Sequence, residues 1–175
     1  MRAWLALVLL LPALAGCTGT APREVGPLVG NIAPVFEVQP VDNVSAWNLT
    51  AHRGQVVLLD LMGVNCEPCR QAMPHLLAVA GAHANDTRFA MVSVDMASVY
   101  PGLGASNVQE IHNFRREFNA TWPFAPDPGT VGQGFEPIAL PTMVIIDGEG
   151  IIRFKAGGKV LQENQVEAEL AKAGA

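Results

Sequence analysis

The chain has 175 residues, room for one ordinary domain. Half of its residues are hydrophobic and only 15% are charged, which excludes a disordered or coiled-coil chain. A formal net charge of −5 with no basic run argues against nucleic acid as a partner, and three cysteines are too few for a disulfide-rich scaffold.

Residues 1–16 read as an export signal: Arg2, then an apolar run from Ala3 to Leu11, then Pro12. The run falls short of the roughly 20 apolar residues that a transmembrane helix needs. Residues 17–30 hold Gly, Pro and Thr without periodicity and read as a tether, which at about 3.3 Å per residue reaches roughly 40 Å. The remainder, 31–175, is the folded domain. Asn43, Asn48, Asn85 and Asn119 each open an N-x-[ST] acceptor, so the sequence predicts possible N-glycosylation at all four.

Along the domain, Val35 to Val38 reads as a short strand. Val56 to Met62 is a continuous apolar run of strand length, as a strand buried on both faces would be. Pro68 to about Ala84 is helical, with Pro74 inside it predicting a kink. Phe89 to Val94 is a second buried strand. Ser106-Asn107-Val108-Gln109 has the form of a capping box and opens a helix carrying Val108, Ile111, Phe114 or Arg115, and Phe118 along one side. Thr142 to Ile146 and Gly150 to Lys155 flank Asp147-Gly148, a hairpin signal. A last helix, Gln162 to Ala173, presents Val166 and Leu170. This order of elements predicts an α/β sandwich around a mixed sheet.

The chemistry concentrates at Cys66-Glu67-Pro68-Cys69, directly after the buried strand and at the start of a helix. A C-x-x-C in a β-α-β pattern reads as a redox motif. The first sulfur sits where unpaired helix N–H groups favour thiolate over thiol, and the second lies one turn on, within reach of a mixed disulfide. Pro68 fits a first helical turn, where its missing N–H costs nothing. A structural zinc site would need two further ligands, and His52, His75, His83 and His112 form no paired motif. A purely structural disulfide is the other competing reading. Trp47 and Trp122 read as packing residues and His75 as solvent-facing.

Two resemblances carry the reading further. Leu14-Ala15-Gly16-Cys17 resembles the lipobox of prokaryotic lipoproteins, which implies cleavage before Cys17 and lipid on its thiol. Together with the four acceptors it predicts a glycosylated archaeal surface protein. The region from Asn31 onward resembles the thioredoxin superfamily in its membrane-attached, extracytoplasmic TlpA/ResA-like branch. The residues that carry this are the Cys-Glu-Pro-Cys tetrapeptide, Pro74 eight residues after Cys66, Leu140-Pro141-Thr142 before the hairpin, the long connection from Met96 to about Pro137, and Gly157-Gly158.

The resemblance implies a thioredoxin-like three-layer α/β sandwich around a mixed sheet, with a helical insertion. It implies Cys66 as nucleophile, Cys69 as resolving thiol and a cis bond at Pro141, which would shape the groove for a partner's backbone. Asp60, six residues before Cys66, matches the buried acid of thioredoxins, a carboxyl that burial would tune to exchange the Cys69 proton. Glu67 either tunes the thiols by its charge or serves as a first-turn acid. Two departures stand out: Asn65 replaces the usual Trp before the first Cys, and Met91 occupies the position of the Lys that pairs with the buried acid in many thioredoxins.

The function so implied is a lipid-anchored thiol:disulfide oxidoreductase on the outer face of the cytoplasmic membrane, with the Cys66–Cys69 pair as its only redox group and no other cofactor. It would reduce exported protein disulfides, for example in cytochrome maturation, and draw on a membrane electron donor or acceptor. The alternatives are a thioredoxin-fold copper metallochaperone, whose families space the cysteines by three residues rather than two, and a peroxiredoxin-like peroxidase, which wants Thr where Gly63 stands.

Overall fold

Strand β3, Val56–Met62, is buried along its whole length because it lies at the centre of a sheet that is covered on both sides. The computed structural model describes residues 23–42, 44–100, 102, 104 and 106–175. The expected signal at 1–16, the lipobox Cys17 and the acceptor Asn43 lie outside the described residues. The other strands are β1 (Glu37–Val38), β2 (Trp47–Asn48), β4 (Phe89–Asp95), β5 (Phe124–Pro126), β6 (Thr142–Ile146) and β7 (Ile152–Gly157). The helices are α1 (Glu67–Ala82), α2 (Val108–Glu117), α3 (Thr130–Phe135) and α4 (Glu163–Ala173). Among the described residues no helix is long and apolar enough to cross a membrane.

The sheet order is β5-β4-β3-β6-β7. β3, β4 and β5 run parallel, β6 is antiparallel to β3, and β7 is antiparallel to β6. A parallel pair cannot close by a tight turn, so β3 reaches β4 through the crossover helix α1. Alternation along β3 sends Leu58 and Met62 to one face, where they join Met73 and Leu76 of α1, Ile111 and Phe114 of α2, and Val166 and Leu170 of α4. Val57, Leu59 and Leu61 point to the other face, against Phe36 and Trp47 of the β1–β2 region and Phe135 of α3. Each fully buried aliphatic side chain in these two clusters contributes about 1.5–3 kcal/mol. The three-layer mixed α/β architecture is the one expected.

Three boundaries differ from expectation for local reasons. Helix α2 is capped by Asn107, not Ser106: the Asn107 side chain accepts from the Glu110 amide at 3.0 Å and Glu110 accepts from the Asn107 amide at 3.0 Å. Val108 is consequently 52% exposed rather than on the buried stripe of Ile111 and Phe114. Strand β7 starts at Ile152, not Gly150. The Asp147 carboxylate accepts from the amides of Glu149 and Ile151, which extends the turn, and Gly150 takes φ 80° there. The connection after β4 contains β5 and α3 in addition to the one helix expected, the latter started by Asp127, whose carboxylate accepts from the amides of Gly129, Val131 and Gly132.

Candidate active site

The loop Gly63-Val64-Asn65 leaves the end of β3 and delivers Cys66 as the N-cap of α1. The Cys66 carbonyl accepts from the amides of Cys69 and Arg70 at 3.0 and 3.1 Å, and its sulfur accepts from the Cys69 amide at 3.3 Å. A thiolate at this sulfur would therefore be held by a backbone N–H and by the positive end of a 16-residue helix. Cys66 and Cys69 are joined as a disulfide, with Cα atoms 5.2 Å apart. Cys66 is 5% exposed and Cys69 2%, so of the two residues the first is the less buried.

The loop is fixed by a residue that sequence reasoning missed. Asp95, buried at the end of β4, accepts from the Val64 amide at 2.9 Å, the Ala97 amide at 3.0 Å and the Ser106 hydroxyl at 2.5 Å. An acid ending an apolar strand that pairs in parallel with the one before the cysteines was the available signal. Ser106 is turned toward Asp95 here, and Asn107 caps α2. Asp95→Ala strands these donors and is expected to lower stability by roughly 1–3 kcal/mol. A urea midpoint equal to wild type's would remove Asp95 from the loop's support.

Pro141 follows a cis peptide bond from Leu140. Thr142 pairs with Leu61, so the proline lies at the end of β3 from which the cysteine loop departs. Its carbonyl accepts from the Gly158 amide at 2.9 Å, and the Thr142 hydroxyl donates to the Ala139 carbonyl, so both flanks of the turn are tied down. Ile138, just upstream, is almost fully exposed and gives this edge an apolar contact.

Asp60 is 2% exposed and lies in the middle of β3, not at a strand end reaching water. Alternation puts it on the same sheet face as Leu58 and Met62, within the apolar cluster that also contains Cys66 and Cys69. Burial raises its pKa to about 7, against a smaller lowering effect of the hydrogen bond from Ser93. In the register Met91 pairs with Leu58, whereas Ser93 stands opposite Asp60 and donates to Oδ2 at 2.8 Å. The group that reaches Asp60 from β4 is a neutral hydroxyl. Trp122 donates its indole N–H to the Ser93 oxygen at 2.9 Å. It is therefore more than the packing residue the sequence predicted.

Glu67 is exposed at the first position of α1 and accepts from the Gln71 side chain at 3.1 Å. Arg70 lies over the Phe114 and Phe118 rings, 5.3 and 5.2 Å from their centroids, and pairs with Glu117, docking α1 on α2. Asn65 and Arg70 line a shallow groove of about 200 Å³ between this pair of helices, on the side where the usual tryptophan would stand. His75 is half-buried and lines an open surface groove with Gln162 and Glu163 of the α4 start. Asn85 and Asn119 lie exposed in turns, while the Asn48 side chain caps a short 3₁₀ turn at residues 49–52 and accepts from the Ala51 amide.

A cysteine pair that can cycle between dithiol and disulfide, on this sheet topology and beside a cis-proline turn, places the chain among the thiol:disulfide oxidoreductases of thioredoxin-like fold. The chain belongs to the AhpC/TSA family, whose model matches residues 29–155. It is 27% identical over 159 residues to the thioredoxin-like protein YneN of Bacillus subtilis, an alignment covering 87% of this chain and 88% of that one. It is 26% identical over 162 residues to the thiol-disulfide oxidoreductase ResA of Geobacillus thermodenitrificans, covering 90% and 87%. In fold it is similar to a thiol:disulfide interchange protein of Chlorobium tepidum, with a TM-score of 0.68 at 16% identity, over 87% of this chain and 99% of the other.

Proposed function

We propose that this protein is a lipid-anchored, extracytoplasmic oxidoreductase that reduces disulfides in exported proteins, including those of cytochrome maturation. The observation that carries the reading is the Cys66–Cys69 pair at the α1 N-terminus on the same buried face as Asp60. The Cys66 thiolate attacks a client disulfide, forming a mixed disulfide and releasing one client thiolate. Asp60 takes the Cys69 proton, and the Cys69 thiolate attacks the Cys66 sulfur. The Cys66–Cys69 disulfide forms, the second client thiolate leaves, and two electrons have passed to the client. Asp60 returns its proton to solvent or to a departing thiolate, and a membrane dithiol donor restores the pair. Pro141 shapes the edge along which the client backbone lies, and Glu67 adds negative charge beside Cys66.

The relatives named as oxidoreductases support the reaction class, and the lipobox supports the anchor. Lipid on Cys17 and glycans on Asn43, Asn48, Asn85 or Asn119 would each add a discrete mass to the native protein, and an intact mass equal to the bare polypeptide would remove them.

The deciding measurement is the midpoint potential of the Cys66–Cys69 pair. A value near about −270 mV, like thioredoxin's, is expected of a reductant; a value near about −120 mV would make the protein a donor of disulfides. The peroxidase alternative is tested in the same preparation: consumption of hydrogen peroxide by the reduced protein, at rates matching disulfide exchange, would replace the present reading.

A further inference from the structure

We propose that Trp122 and Ser93 form an oriented hydrogen-bond relay that holds a hydroxyl proton on Asp60 and so sets its readiness to give and take a proton. This rests on the reading of Asp60 as the proton acceptor for Cys69, and it assigns positioning roles to two residues outside the C-x-x-C motif.

The direction of the relay follows from what each group can do. An indole N–H only donates, and a serine hydroxyl has one proton and two acceptor lone pairs. With Trp122 Nε1 donating into Ser93 Oγ at 2.9 Å, the hydroxyl cannot turn its own proton toward the indole. It donates to Asp60 Oδ2 at 2.8 Å. Ser93 and Trp122 are both buried, so solvent does not compete for these bonds.

Each link is anchored. The Ser93 amide donates to the Pro123 carbonyl at 3.0 Å, tying β4 to the segment that carries the tryptophan. The Trp122 carbonyl accepts from Arg115 Nε at 3.1 Å, and Arg115 Nη1 pairs with Asp42 at 2.9 Å. The indole ring packs on Phe124, 5.5 Å between centroids. The tryptophan is therefore held at its backbone by Arg115 of α2, itself paired with Asp42, and at its indole by Ser93.

A hydroxyl proton on a carboxylate favours the ionised form and opposes the effect of burial. The titratable groups on the same face of the sheet are Cys66 and Cys69 of the dithiol and Asp95 at the end of β4. Facing Asp60 the packed elements bring apolar side chains, Met143 opposite it on β6 and Val166 and Leu170 on α4, while their charged groups are Arg70 over Phe114 and Phe118, Arg115 on the Trp122 carbonyl and His83 paired with Glu167. Among the described residues, burial and the Ser93 hydrogen bond are what act on Asp60.

The test follows the Asp60 carboxyl by isotope-edited NMR across pH 4–9 in the full oxidised chain, where the joined cysteines do not titrate. Ser93→Ala should raise the Asp60 midpoint by about one pH unit, since a hydrogen bond to a charged group is lost. Trp122→Phe, which frees the hydroxyl to rotate, should raise it by less, and Ser93→Thr should restore it. A midpoint unmoved in both Ser93→Ala and Trp122→Phe, even with stability lowered, overturns the relay, because a merely structural role predicts that pattern. The reduced chain separates this inference from the one it rests on. If the Asp60 midpoint moves but the pH profile of disulfide exchange does not, the relay stands and Asp60 leaves the catalytic path. If both move together, both stand.

Discussion

With Cys69 replaced by serine, the protein is expected to accumulate as a mixed disulfide with its client and to lose turnover by about a thousand-fold or more. The Cys66 sulfur keeps its place at the N-terminus of α1 and its acceptor contact with the amide of residue 69, so attack on a client disulfide survives. What is lost is the second thiolate, without which the covalent intermediate waits for an external thiol. Cys66→Ser should abolish the reaction without trapping anything, since Cys69 is the more deeply buried sulfur. The measurement is non-reducing electrophoresis of each variant after exposure to a disulfide-containing client, beside the steady-state rate. Trapping by Cys66→Ser and not by Cys69→Ser would show that the two sulfurs have been given the wrong roles.

Asp60→Asn is expected to change how stability depends on pH. The folded-state pKa is about 7 against an ordinary 3.8, so between these values the folded protein binds a proton that the unfolded chain has released. Stability is then fully present below pH 4, falls as pH rises through that window and levels off above about 7. A rise of about three units at 1.36 kcal/mol each makes the loss on the order of 4 kcal/mol. Asn carries no charge to bury and keeps an oxygen to accept from Ser93. The variant should lose this slope, so that its stability relative to wild type improves by several kcal/mol between pH 4 and pH 8. Urea unfolding of the oxidised proteins at both pH values reads the difference, and effects common to both proteins cancel. Parallel curves would mean that Asp60 ionises freely in the fold, and with that its case as a near-neutral proton acceptor would be gone.

The fold was legible because the strongest signals were local. The apolar run Val56–Met62 could be buried only at the centre of a sheet, and the dipeptide Asp147-Gly148 marked a turn. Boundaries slipped where a side chain had two claimants. Ser106 and Asn107 could each cap α2; Asn107 does so, while the Ser106 side chain is turned to Asp95 on the neighbouring strand. The two-residue strand β1 and the three-residue strand β5 are too short to carry a periodicity; their pairing with neighbours defines them.

By itself the sequence determined the reactive centre, because a C-x-x-C spacing at a helix start is a local property of the backbone: the two sulfurs are one turn apart wherever the helix lies. Through the family resemblance it also pointed to Asp60, six residues before Cys66, and to Pro141, just before the Asp147-Gly148 hairpin. Only the tertiary structure decided what surrounds them. Parallel pairing of β3 with β4 puts Ser93, rather than Met91, opposite Asp60, and the return of the chain after α2 brings Trp122 onto Ser93. Asp95 reaches the cysteine loop by the same pairing. These contacts span 29 to 33 residues of sequence, and no local pattern encodes them. The acid's proton affinity is a property of burial and of one hydroxyl delivered from a neighbouring strand, so it exists only once the sheet has formed.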